Sequence, residues 1–143
     1  MDKIDRTIIE ILHADSKTPL KALSAAVGLS SPSTSERLKR LEERGVIGGY
    51  TLRVDHSQLG YPLRAVVRIN PMPGKLQMVQ KLIVDTAEIV ECDKVTGDDC
   101  FVCKLYLKSI EQLDLILDRI SEHAQTNTSI VKASPVKRRL PPL

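Results

Sequence analysis

The sequence predicts an α+β chain in two parts, and three observations carry that reading. Apolar residues recur at helical spacing through the first third of the chain. Glycines at Gly28 and Gly45 interrupt that pattern where helices would end. From Leu63 onward, alternating strand-like and helix-like periods follow one another.

Asp2 is placed to cap a first helix, in which Ile4, Ile8, Ile11 and Leu12 form one stripe. Thr18-Pro19 then offers an N-cap oxygen followed by a residue whose missing N–H costs nothing at the first helical position. Leu20, Leu23 and Val27 share one side of this second helix, and Gly28 can take the left-handed conformation that ends it. Ser30 or Ser31 can cap a third helix running from about Pro32 to Arg44, with Gly45 as its stop. At about 100° per residue, Ser33, Arg37, Arg40 and Arg44 fall within roughly 60° of one another. Thr34, Leu38 and Leu41 occupy a neighbouring sector. One flank packs and the other carries cations, the division required of a helix laid in the major groove.

A charge run by itself is usually a solvated face, and these arginines can simply pair with Glu36 and Glu43. The coincidence of helix, glycine turn, helix and glycine stop across Leu20 to Ile47 points instead to a helix-turn-helix, three-helix and winged-helix-like, over residues 1–53. Val46 to Val54 reads as a strand leading out of this unit, because its glycines oppose helix and its β-branched and aromatic residues favour extension. His56 to Pro62 is a turn-rich connector, so residues 54–62 are taken as strand and linker.

Residues 63–143 form the second part. Leu63, Ala65, Val67 and Ile69 alternate with Arg64, Val66 and Arg68, giving a half-buried strand. A helix through Leu76, Val79, Gln80 and Ile83 follows, then a strand from Ile89 to Val95 and a tight turn over Thr96 to Asp99. Phe101, Cys103, Leu105 and Leu107 line one side of a third strand, with Val102, Lys104 and Tyr106 on the other. Ser109 can cap a helix bearing Leu113, Ile116, Leu117 and Ile120, and Thr126 to Val136 supplies the last strand. This order is the βαββαβ ferredoxin-like motif, in which both helices cover one face and leave the other open.

Composition narrows the class without choosing it. The 143 residues are 42% hydrophobic with a net charge of +3. Residues 1–53 hold 9 Lys and Arg against 7 Asp and Glu, and residues 54–143 hold 12 against 11, so the placement of charge matters more than its sum. Two parts this small benefit from oligomerisation. The sequence shows no signal peptide and no apolar run long enough to span a bilayer, from which we expect a soluble, cytoplasmic protein with no membrane partner.

Cys100 and Cys103 have CxxC spacing, but on a strand residues three apart point to opposite faces and share no metal or ordinary redox turn. Cys92 can approach either across the strand pair, while an odd count without a secretory signal argues for reduced thiols. His13, His56 and His123 have no second ligand at zinc spacing, and no nucleophile elbow or acid–base pair is present. We therefore expect no metal, no cofactor and no enzymatic activity.

Asp5-Arg6 with Ile8 and Leu12, the run LSAAVGLS, and Arg37-Leu38-Lys39-Arg40-Leu41-Glu42-Glu43-Arg44-Gly45-Val46-Ile47 resemble the N-terminal domain of the leucine-responsive regulatory protein/AsnC family. The resemblance extends through Val54-Asp55, Leu59-Gly60, Val95-Thr96-Gly97-Asp98 and Thr128-Ser129-Ile130-Val131, and so covers essentially the whole chain. It implies a transcription regulator that binds double-stranded DNA. Its ferredoxin-like domains would pair into dimers, often assembled into octamers, with an amino-acid effector held between dimers. Among DNA contacts Arg37 ranks first, for base or phosphate. Ser33 and Glu36 would adjust base preference, Lys39 and Arg40 would grip phosphates, Arg44 would extend that cationic face, and Ser31 would join through the helix N-terminus.

An effector pocket is expected around Thr96, Gly97, Asp98, Asp99 and Cys100. The family's turn runs Gly, two residues, then an acid, whereas Gly97-Asp98-Asp99 is followed here by Cys100. Asp99 is one residue away, and on a strand a one-residue shift reverses the face. Two other readings stay open: an effector-independent regulator, and a small-molecule-binding ferredoxin-like protein or interaction module whose basic helix does not bind DNA.

Overall fold

The computed structural model describes all 143 residues. Its elements run α1 (Lys3–Ala14), α2 (Leu20–Val27), α3 (Ser31–Glu43), β1 (Leu63–Pro71), α4 (Leu76–Asp85), β2 (Ile89–Lys94), β3 (Phe101–Leu107), α5 (Ile110–Ser121) and β4 (Ala124–Ile130). They divide into two compact units, Met1–Arg53 together with Val136–Leu143, and Val54–Pro135.

In the first unit, Asp2 caps α1 through a reciprocal box. Its carboxylate accepts from the Asp5 amide at 2.9 Å, and the Asp5 carboxylate accepts from the Asp2 amide at 3.4 Å. The stripe on α1 buries Ile8 and Leu12 against Leu23 and Leu41, with Ile4, Ile11, Val27 and Leu38 packed around them. Full burial of each such side chain stabilises by about 1.5–3 kcal/mol, and these few residues are what hold three short helices together. At Gly28 the chain turns through φ 69° and ψ 32°, a left-handed cap that lets the Leu29 amide reach the Ser24 carbonyl at 3.1 Å.

Some boundaries differ from the sequence reading. Thr18 does not cap α2: its hydroxyl donates instead to the Asp15 carbonyl at 2.8 Å, and Pro19 occupies the N-cap position without a side-chain bond. Ser30 rather than Ser31 caps α3, accepting from the Ser33 amide, so the helix begins at Ser31 and Arg44 becomes its C-cap. Val46 to Val54 forms no strand. Extended backbone needs a neighbour to pair with, and this segment instead follows the end of α3, where the Tyr50 hydroxyl donates to Glu42 at 2.8 Å.

The second unit is one antiparallel sheet in the order β2-β3-β1-β4. The β1-α4-β2 crossover leaves a gap that β3 fills, and α5 returns the chain so that β4 joins the far side of β1. Alternate residues of β1 and β3 form a single core with Val79 and Ile83 of α4 and Leu113, Ile116 and Ile120 of α5, so both helices share one face. Gln80, placed on the packing stripe in the sequence reading, is exposed. The last strand ends at Ile130 instead of Val136, because its register against β1 runs from Pro71 back to Ala65 and closes with the Val131 amide on the Arg64 carbonyl. On the opposite face, the His56 ring from the connector stacks on Tyr106 with centroids 3.5 Å apart.

Candidate nucleic-acid interface

The geometry of α3 follows from what pins it. Leu41 is 1% exposed and Thr34 fully buried, with the Thr34 hydroxyl satisfied by the Ser30 carbonyl at 2.9 Å. With that sector fixed inward, the positions outside it project, and Ser33, Glu36, Lys39, Arg40 and Arg44 are all exposed. Ser31 is half-buried at the first turn. A surface depression of about 450 Å³ brings Ser33, Glu36, Arg37, Arg40 and Arg44 together beside Asp2 and Asp5. Lys39 and Ser31 lie outside it.

Arg37 behaves differently from its neighbours. Its Nη1 donates to Asp2 at 2.7 Å and to Asp5 at 2.9 Å, so the guanidinium ties α3 to the N-terminal turn of α1. The Asp5 amide and then Arg37 hold the Asp2 carboxyl below its ordinary range. The hydrogen bonds to Asp2 and Asp5 raise Arg37 in turn. Sequence reading missed this clamp because its partners are 35 and 32 residues away and carry no local spacing signal. Asp2 and Asp5 are legible as a capping box, but not as anion partners for a later helix.

The remaining cations are loosely held. Arg40 pairs with Glu36 at 3.1 Å and Lys39 with Glu43 at 3.6 Å, both one helical turn apart and both more than half exposed. Pairs of this kind contribute little and are screened by salt, so each cation can exchange its carboxylate for a phosphate. Arg44 makes no ion pair.

In the second unit, the β2–β3 loop places Thr96, Gly97 and Asp98 at the surface, with Asp99 and Cys100 half-buried. Gly97 sits at φ 103°, a conformation that side-chain-bearing residues rarely adopt. Asp99 approaches Arg68 of β1 at 3.9 Å. In the single chain these residues form an open surface loop. No group of three or more His, Cys, Asp or Glu side chains is arranged to hold a metal ion, and no helix is long and apolar enough to cross a membrane.

Comparison with known proteins matches both units. Residues 1–47 fit a family model for winged helix-turn-helix DNA-binding, and residues 64–141 fit the Lrp/AsnC ligand binding domain. The HTH-type transcriptional regulator FL11 of Pyrococcus furiosus is 41% identical over 120 residues, spanning 84% of this chain and 80% of that protein. The regulator LrpC of Bacillus subtilis is 32% identical over 131 residues, 92% of this chain and 91% of LrpC. The solved LrpC structure superposes with a TM-score of 0.89 at 30% identity, covering 96% of this chain and 99% of that one. A feast or famine regulatory protein from M. tuberculosis, solved in complex with L-methionine, superposes with a TM-score of 0.83 at 30% identity over 97% of both chains. The cationic helix on its buried leucine, the βαββαβ unit that follows it in the chain and these matches along the whole length together place the protein in the Lrp/AsnC family of transcriptional regulators.

Proposed function

We propose that this chain is a sequence-specific, non-enzymatic transcription regulator that binds double-stranded DNA. Residues 1–53 do the reading, and residues 63–143 assemble the protein and sense an effector. The observation that carries the reading is the division of α3: Leu41 and Thr34 are sealed inside while Lys39, Arg40 and Arg44 project with only weak or no partners. Ser33 and Glu36 stand on the same face at the start of the helix, within reach of base edges, and Ser31 offers its amide to a phosphate. Arg37 is held to Asp2 and Asp5 through Nη1 alone, so it positions α3 while its remaining N–H groups stay available to DNA.

Two such helices in a dimer read a roughly two-fold symmetric site, with half-sites about one helical turn or its multiples apart. Assembly into dimers and octamers follows the family resemblance. The loop Thr96 to Cys100 is the proposed effector site, with walls completed by another copy of the chain, and the relative crystallised with L-methionine supports an amino-acid ligand. Cys100 in place of the family's acid argues for a shifted preference among amino acids.

Genomic footprinting with and without amino acids tests the function. Discrete, symmetric protected sites are expected, and flat occupancy across the genome would overturn the proposal. Calorimetry against the twenty amino acids tests the effector: saturable heat with at least one is expected, whereas none would leave an effector-independent regulator.

A further inference from the structure

The DNA-reading helix and the effector loop leave one cluster of reactive side chains unused. Cys92 lies exposed on the edge strand β2, and Cys103 lies fully buried on β3 directly opposite it in the antiparallel register. The Val95 amide donates to the Cys100 carbonyl at 2.9 Å, which marks those residues as a hydrogen-bonded pair at the hairpin end. Antiparallel alternation then makes Cys92 and Cys103, three pairs further in, a non-hydrogen-bonded pair. Facing Cα atoms at such sites approach to about 4.5 Å and the side chains come closest. A disulfide requires Cα atoms roughly 4.4–6.8 Å apart. The Cys103 thiol already donates to Cys92 Sγ across 3.3 Å, so side-chain rotation suffices to close the bond.

We propose that Cys92 and Cys103 are an oxidation site, closing to an intrachain disulfide when the protein meets a peroxide. The exposed Cys92 meets the oxidant first: its thiol sulfur attacks one peroxide oxygen, the O–O bond breaks, and the departing hydroxide takes the thiol proton and leaves as water. Cys92 is then a sulfenic acid. Cys103 sulfur attacks Cys92 sulfur, the S–O bond breaks, and the Cys103 proton leaves with the hydroxyl as a second water. Two thiols are oxidised and one peroxide is reduced to two waters. Burial, followed by the neighbouring Cys92, pushes the Cys103 thiol far above its ordinary range, which protects it from direct oxidation, so it attacks only the sulfenic sulfur held beside it and gives up its proton in that same step. Cys100 is excluded as the partner because it faces Val95 at the end of the hairpin. The bridge pins both strands behind the loop Thr96 to Cys100, so oxidation fixes the base of the proposed effector site.

The test uses the full chain, reduced, freed of reductant and treated with hydrogen peroxide, then alkylated after unfolding and mapped by peptide mass. The expected result is a Cys92–Cys103 cross-linked peptide with only Cys100 alkylated, and recovery of all three thiols with dithiothreitol. Cys100→Ser should form the same bridge and Cys92→Ser none. Cys103→Ala should accumulate sulfenic acid at Cys92, captured by dimedone roughly tenfold more than in the parent. Should Cys103→Ala fail to fold, the parent and Cys92→Ser maps decide alone. A Cys103 still alkylatable after Cys92 has been oxidised, or a Cys92 bridge between chains, would overturn the proposal.

Discussion

Leu41→Ala should cost the first unit much of its stability. Leu41 is 1% exposed and belongs to a core of only four buried apolar side chains, the others being Ile8, Leu12 and Leu23. Truncating a buried leucine costs about 2–5 kcal/mol, the upper end applying where the surroundings cannot collapse into the space. At roughly 0.05–0.15 kcal/mol per residue, a unit of this size has about 3–8 kcal/mol in all. The substitution therefore removes most of the stability that keeps α3 on α1 and α2. The β-sheet unit has a separate core and should be untouched. Hydrogen exchange read by mass spectrometry resolves the two: protection should collapse over residues 3–43 and persist over β1 and β3. Unchanged protection in α1 to α3 would refute the claim that Leu41 anchors the helix, and equal loss in the sheet would refute the independence of the two cores.

The clamp gives a pH prediction. Asp2 is held below its ordinary range in the folded chain, so it contributes stability that is fully present above about pH 4 and is lost as pH falls through the lowered value. The melting temperature of the first unit should drop on that acid side, and Arg37→Ala should flatten the drop by removing one of its causes; an identical acid profile in the variant would contradict the assignment. At Gly28 nothing lies within 4 Å of an added Cβ, so Gly28→Ala meets only the left-handed backbone penalty. A loss of about 1–2 kcal/mol by chemical denaturation is expected there, and a neutral substitution would mean that the turn relaxes.

Much of this fold is written in local spacing. Ile8, Leu12, Leu23 and Leu41 are legible because helical periodicity exposes one face at a time, and Phe101, Cys103, Leu105 and Leu107 because strand alternation does the same. Gly28 and Ser109 announce their caps through their own chemistry. What local spacing could not supply is pairing. Val46 to Val54 has strand composition but no strand beside it, and β4 stops where its pairing with β1 ends at Ala65, a limit set by a segment far earlier in the chain. The Thr18 hydroxyl can accept from the start of α2 or donate backward, and the turn geometry has it donate to the Asp15 carbonyl. The same limit governs the site: the α3 face follows from angular spacing, whereas the capture of Arg37 by Asp2 and Asp5 depends on how two distant helices dock.

The outward cations of α3 carry the functional reading, and a salt titration of DNA binding reaches them without intermediaries. On a fragment carrying one footprinted site, the full chain and its Lys39→Ala, Arg40→Ala and Arg44→Ala variants are compared across salt. Each cation removed from a phosphate should flatten the log–log slope by about 0.9, which amounts to roughly a 3.5-fold smaller change in affinity between about 50 and 200 mM salt. Slopes and affinities indistinguishable from the parent in all three variants would mean that this helix does not enter the duplex.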